Sequence, residues 1–131
     1  IRVNKSSQEI VPELGDSIDN IVLGYTNMQM FIRAIEEEFN LDISFAEVTE
    51  NRDIKLYMSY VEDVYFSIQD KQPFIILSPD MGYDTVQKNL SFVFESESFK
   101  ELFDTRPQDL ESIDVRFEGR VSHTFTPLEN Y

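Results

Sequence analysis

The feature that most constrains this chain is a change in the period of its apolar residues near residue 40. Ile21, Tyr25, Met28, Ile32, Ile35 and Phe39 recur at alternating steps of four and three. That spacing places all six on one face of an α-helix. Beyond residue 40 the step falls to two. Ile43 and Phe45 alternate, then Ile54, Leu56, Met58 and Tyr60, then Val64, Phe66 and Ile68. A step of two is the mark of strands buried on one face, as in antiparallel sheets. A chain that switches in this way is neither all-helical nor all-β. The pattern predicts an α+β fold, with one long amphipathic helix packed on an antiparallel sheet of about five or six strands.

The remaining segments fill in this outline. Asp16 or Ser17 can cap the helix, and Gly24 marks a point where it can bend or divide. Glu36, Glu37 and Glu38 sit near its end and read as a solvated face. Phe74-Ile75-Ile76-Leu77 is a continuous apolar run, expected of a strand covered on both faces. Pro79 to Asp84 reads as a loop, and Leu90, Phe92 and Phe94 as a further strand. Ser98 with Glu101 fits a capping box for a second, short helix near 98–104. Arg106-Pro107 interrupts it, with a turn of helix resuming through Leu110 and Ile113. Val115 to Phe125 reads as a strand or hairpin bent at Gly119. Residues 1–15 read as an irregular N-terminal segment. With no repeat, low-complexity tract or linker, 1–131 is expected to be a single domain.

Charge narrows the function. The 131 residues include 25 Asp and Glu against 11 Lys and Arg, a formal net charge of −14. The acids are spread along the chain, so they belong to a folded surface rather than a tail. Such a surface repels nucleic acid and anionic lipid and attracts a basic protein; solubility alone is the simpler use of it. The absence of cysteine removes disulfides, thiolate metal sites and cysteine nucleophiles. No apolar run approaches the roughly 20 residues that span a bilayer, so the cytoplasm is the default location. The chain opens at Ile1, which leaves room for a removed leader or upstream segment.

The search for reactive groups returns little. There is no glycine-rich phosphate loop, nucleophile elbow or paired-histidine metal motif. His123 is the one histidine, and it reads as a strand residue rather than a catalyst. Asp80 and Asp84 flank Gly82, but the loop lacks the alternating oxygen ligands of a calcium site. No catalytic residue, metal or cofactor is therefore expected. Leu14-Gly15-Asp16-Ser17-Ile18, with Ala34-Ile35-Glu36-Glu37-Glu38-Phe39 and Ile43, resembles pieces of acyl carrier proteins. That family carries phosphopantetheine on the serine of such a turn. Here the motif is one residue short, and its distance to the Glu run is about two helical turns too long. A helix followed by alternating strands also differs from a four-helix carrier.

What remains is a surface. If Leu56, Met58, Val64 and Phe66 face the helix, Tyr57 and Tyr65 face away from it. The Glu62-Asp63 turn would make their strands neighbours, and Glu47, Glu50 and Asp53 add acids nearby. Aromatics with polar tips, ringed by acids, suit a protein-binding hot spot. The partner-binding set expected is Tyr57, Tyr65, Glu62, Asp63, Glu47, Glu50 and Asp53. The function expected is a non-catalytic, acidic inhibitor or immunity-type protein neutralising a basic partner such as a nuclease toxin. An assembly domain of a larger viral or phage complex is the alternative. An enzyme or a diverged acyl-carrier-like domain ranks below both.

Overall fold

The computed structural model describes residues 2–4, 9–11, 18–67, 72–79 and 81–127, with side chains from residue 28 onward. Two short strands, β1 (Arg2–Asn4) and β2 (Glu9–Val11), precede helix α1 (Ile18–Phe39). Then come β3 (Leu41–Val48), β4 (Ile54–Val61), β5 (Val64–Tyr65) and β6 (Phe74–Leu77). Two helices follow, α2 (Tyr83–Glu95) and α3 (Glu97–Thr105). A 3-10 turn over Pro107–Asp109 leads into the hairpin β7 (Leu110–Phe117) and β8 (Arg120–Phe125).

The fold is α+β, as the change of period predicts, with helices packed against one sheet. Its strand order is β2-β1-β3-β4-β6-β7-β8, and β5 pairs with β4 off that path. The strands of four or more residues are β3, β4, β6, β7 and β8. The sheet is mixed rather than wholly antiparallel, because β6 and β7 run parallel. A parallel pair needs a long crossover, and α2 and α3 supply it.

Ring contacts show that the helices share one side of the sheet. Phe31 of α1 meets Tyr83 of α2 edge-on, and Phe39 stacks on Phe94. Phe94 meets Phe99 of α3, and Phe99 packs against His123 and Phe125 of β8. Beneath them lies one core that includes the fully buried Ile35, Met58, Ile75, Leu90, Ile113 and Val115. Each such side chain contributes about 1.5–3 kcal/mol of transfer free energy.

On α1, Ile32 and Ile35 are buried and Met28 and Phe39 pack at the rim, as the helical spacing predicts; Ile21 and Tyr25 lie outside the described side chains. The helix runs through Gly24 without a break. Its acidic end is not simply a solvated face. Glu36 Oε2 accepts the backbone N–H of Ile43 at 2.9 Å. Glu38 accepts the Tyr83 hydroxyl at 2.9 Å and the Gln87 side-chain amide at 2.5 Å. Burial first, and the Glu38 carboxylate second, push the Tyr83 phenol up to about 12.

Several expectations are corrected. Leu90, Phe92 and Phe94 belong to helix α2, not to a strand. Val86, Asn89, Leu90, Val93 and Phe94 are its buried face, at steps of three, one, three and one. That is helical spacing, and it leaves Phe92 outside. The cap of α3 is Ser96, whose side chain accepts from the Phe99 N–H at 3.2 Å; Ser98 is exposed. Leu110 and Ile113 lie in β7, not in a resumed helix turn. β1 and β2 fall within the segment expected to be irregular. Gly119 does turn the final hairpin, at φ 73°. Asp80, Ile68 and Ser17 lie outside the described residues.

Two irregularities shape the sheet face. Asp42 is opposite Tyr60, Ile43 opposite Met58 and Phe45 opposite Tyr57. Ser59 on β4 and Ser44 on β3 are therefore each left over, as in β-bulges. Because a one-residue shift exchanges the faces of a strand, the buried step lengthens to three across each bulge. The buried residues run Met58 then Val61 on β4, and Ile43 then Ala46 on β3.

Candidate protein-binding face

The side of the sheet away from the helices carries an aromatic strip across three strands. Phe45, Tyr57 and Phe74 stand in register on β3, β4 and β6. Their sequence neighbours Ala46, Leu56, Met58 and Ile75 are buried in the core, so alternation turns the three rings the other way. Phe45 and Tyr57 stack with centroids 4.4 Å apart, and Tyr57 meets Phe74 at 5.4 Å. Ile76 follows Phe74 on the same face. All four are half-buried.

Charged groups flank the strip. Lys55 Nζ lies 4.5 Å from the Phe74 ring centroid, a cation–π contact. Glu47 stands opposite Lys55 in the register of β3 and β4. Asp114 of β7 stands opposite Ile76. Arg116 joins Asp114 at 2.8 Å and Asp53 at 3.0 Å. Burial pushes the Asp114 carboxyl up, but the hydrogen bonds and charge of Arg116 outweigh it and hold the group below the usual aspartate range. The Arg116 guanidinium is held protonated by the same bonds to Asp114 and Asp53.

At the far end of β4 the chain turns back through Glu62 and Asp63. Both have positive φ, 44° and 73°, as a type I′ hairpin turn requires. β5 then pairs with β4 as the sequence predicts, although it is only Val64–Tyr65. Tyr65 stands opposite Tyr60, with ring centroids 4.9 Å apart. The Tyr60 hydroxyl donates to Asp63 Oδ1 at 2.8 Å. Burial raises the Glu62 carboxyl above the usual range, and Asp104 adds to the shift.

The residues expected to bind a partner thus spread along β4 instead of forming one cluster. Asp53 precedes the strand and is ion-paired, and Glu50 is exposed in the turn before it. Glu47 stands opposite Lys55 near the start of the strand, and Tyr57 lies at its middle. Glu62, Asp63 and Tyr65 lie at its end. Tyr65 is 76% exposed, and its register partner is Tyr60, three residues beyond Tyr57. Sequence reasoning missed Phe45, Phe74, Ile76 and Arg116. The apolar run at 74–77 was the available signal. It predicts burial on both faces, and the described residues place helices on only one.

Among the described residues no group of three or more His, Asp or Glu could hold a metal ion. His123 meets the rings of Phe99 and Phe125 edge-on, and burial lowers its pKa. No described helix is long and apolar enough to cross a membrane. No protein-family model, curated protein or solved structure matches the chain.

Proposed function

We propose that this chain is a non-catalytic protein-binding domain whose helix-free sheet face docks a basic protein, as an inhibitor or immunity-type protein neutralising a nuclease-like enzyme does. The observation that carries the reading is the strip of Phe45, Tyr57, Phe74 and Ile76, half-buried and in register on the side of the sheet away from the helices. Apolar side chains on such a face favour a partner that removes them from water. The net charge of −14 selects a cationic one and speeds its approach.

The test places a photo-crosslinker at position 76, with a control at the exposed Glu101 of helix α3, in the full chain exposed to an extract of its native source. A basic protein that crosslinks at 76 and not at 101, and whose activity falls on adding the purified chain, is the expected result. Equal crosslinking at both positions overturns the reading. Crosslinking to a second copy at 76 also overturns it, and puts the assembly-domain alternative ahead.

A further inference from the structure

β8 ends the sheet. It pairs with β7 on one side and, among the described residues, with no strand on the other. A sheet edge is a template on which an extended segment can add as another strand. Arg120–Phe125 contains no acid, in a chain with 25 Asp and Glu.

A cavity of about 280 Å³ lies beside this edge, between α2 and the β7–β8 hairpin. Phe92 and Val121 supply its apolar wall, with Lys88 and Glu118 at its borders. Phe92 is 68% exposed. The buried Asn89 at its base has its hydrogen bonds made: its amide donates to the carbonyls of Val115 and Phe117 at 3.2 and 3.0 Å, and its carbonyl accepts from the Gly119 N–H at 3.4 Å. The cavity is therefore left with the apolar surface of Phe92 and Val121, the Thr85 hydroxyl and the two opposite charges of Lys88 and Glu118 to offer. Small-molecule sites span about 300–1,000 Å³, so this one suits a side chain better than a free ligand. Val121 belongs to β8 itself, so alternate side chains of an added strand would stand over the cavity.

We propose that the β8 edge binds an extended segment of a partner protein, which adds as a strand, seats an aliphatic or aromatic side chain against Phe92 and Val121, and presents acid to Lys88 and Arg120. The site is separate from the aromatic face, and the segment is opposite in charge to the partner proposed there.

The test selects a phage-displayed library of random eight-residue peptides on the full chain, then follows amide hydrogen exchange with a selected synthetic peptide bound. The expected peptides pair acidic with apolar residues at a step of two. They should slow exchange at alternate amides within 120–125 at least tenfold. Phe92→Ala, and separately the double change Lys88→Glu with Arg120→Glu, should weaken binding at least tenfold. All three positions are exposed, so these variants should fold. Enrichment of basic peptides, protection confined to the Phe45–Tyr57–Phe74 face, or no enrichment would overturn the proposal. So would protection of 120–125 that grows with protein concentration in the absence of peptide, which would mean self-pairing.

Discussion

The Ser44 hydroxyl donates to the side-chain carbonyl of Gln72 at 2.7 Å, across 28 positions of sequence. Ser44 is the extra residue of the β3 bulge, and Gln72 is a buried residue just before β6. The Gln72 amide in turn donates to the Phe66 carbonyl at 3.4 Å. Next to Gln72, the Pro73 carbonyl accepts the Met58 N–H at 2.9 Å. This side chain thus ties the bulge to the segment that sets β6 against β4, and so to the register that stacks Tyr57 between Phe45 and Phe74.

Replacing Gln72 by Leu should destabilise the protein by about 1–3 kcal/mol, since it leaves the Phe66 carbonyl unsatisfied and strips Ser44 of an acceptor. Ser44→Ala should cost less, because its hydroxyl is only part-buried. The two changes should be non-additive in urea unfolding, as residues in one hydrogen-bond network are. Additive costs would show that the bond does not couple the bulge to the loop.

Asn89 gives a second stability prediction. It bonds two carbonyls and one N–H around the β7–β8 turn from within α2. Asn89→Leu keeps the bulk and removes all three bonds, and should cost about 2–4 kcal/mol by taking the donor from the buried Val115 carbonyl and the part-buried Phe117 carbonyl. Asn89→Asp should cost more, because a carboxylate would face the carbonyls of Val115 and Phe117. Thermal and urea unfolding of both variants would check the order.

The limits of the sequence are visible in the same residues. The helical face of α1 and the alternation of β4 were legible because each pattern repeats over several periods. α2 was not, because Leu90, Phe92 and Phe94 satisfy a step of two while Val86, Leu90 and Val93 satisfy a helical one. Only Phe92 separates the readings, and its exposure is a property of the packed fold. The bulges at Ser44 and Ser59 leave no periodic mark, so the change of face that buries Val61 in place of Tyr60 was hidden, although the Glu62-Asp63 turn itself sets Tyr65 opposite Tyr60. The aromatic strip draws on strands far apart in sequence, and the Arg116–Asp53 pair spans 63 positions. Such contacts follow from strand order, which no local pattern encodes.

Stability should fall in two stages on acidification. His123 has a folded pKa below its ordinary value because burial penalises its charged form. Its contribution is therefore present above the unfolded value of about 6.5 and is lost as pH falls toward its folded value. Asp114 is also held low by Arg116, against the upward pull of burial. Its contribution is present above about 3.9 and is lost as pH falls through its folded value. His123→Phe, which keeps a ring beside Phe99 and Phe125, should flatten the first stage. Asp114→Asn should lower stability at neutral pH and flatten the second. Urea midpoints measured from pH 8 to pH 2.5 would show both effects.

Binding to the proposed basic partner should separate the two tyrosines. Tyr65 is 76% exposed, so Tyr65→Ala should leave the melting temperature nearly unchanged. If Tyr65 anchors the complex, the same change should raise the dissociation rate by an amount worth about 2 kcal/mol. Tyr57 is different, because its ring stacks between Phe45 and Phe74. Tyr57→Ala should weaken binding and lower stability together, whereas Tyr57→Phe keeps the stack and isolates the hydroxyl. Charge reversal at Glu50 or Asp63 should act mainly on association, and added salt should do the same, since exposed charges are screened within about 8 Å at physiological ionic strength. Stopped-flow kinetics with the crosslinked partner would resolve the rates. An association rate flat across salt, with Tyr65→Ala and Tyr57→Ala both dissociating at the wild-type rate, would remove the aromatic face from the interface.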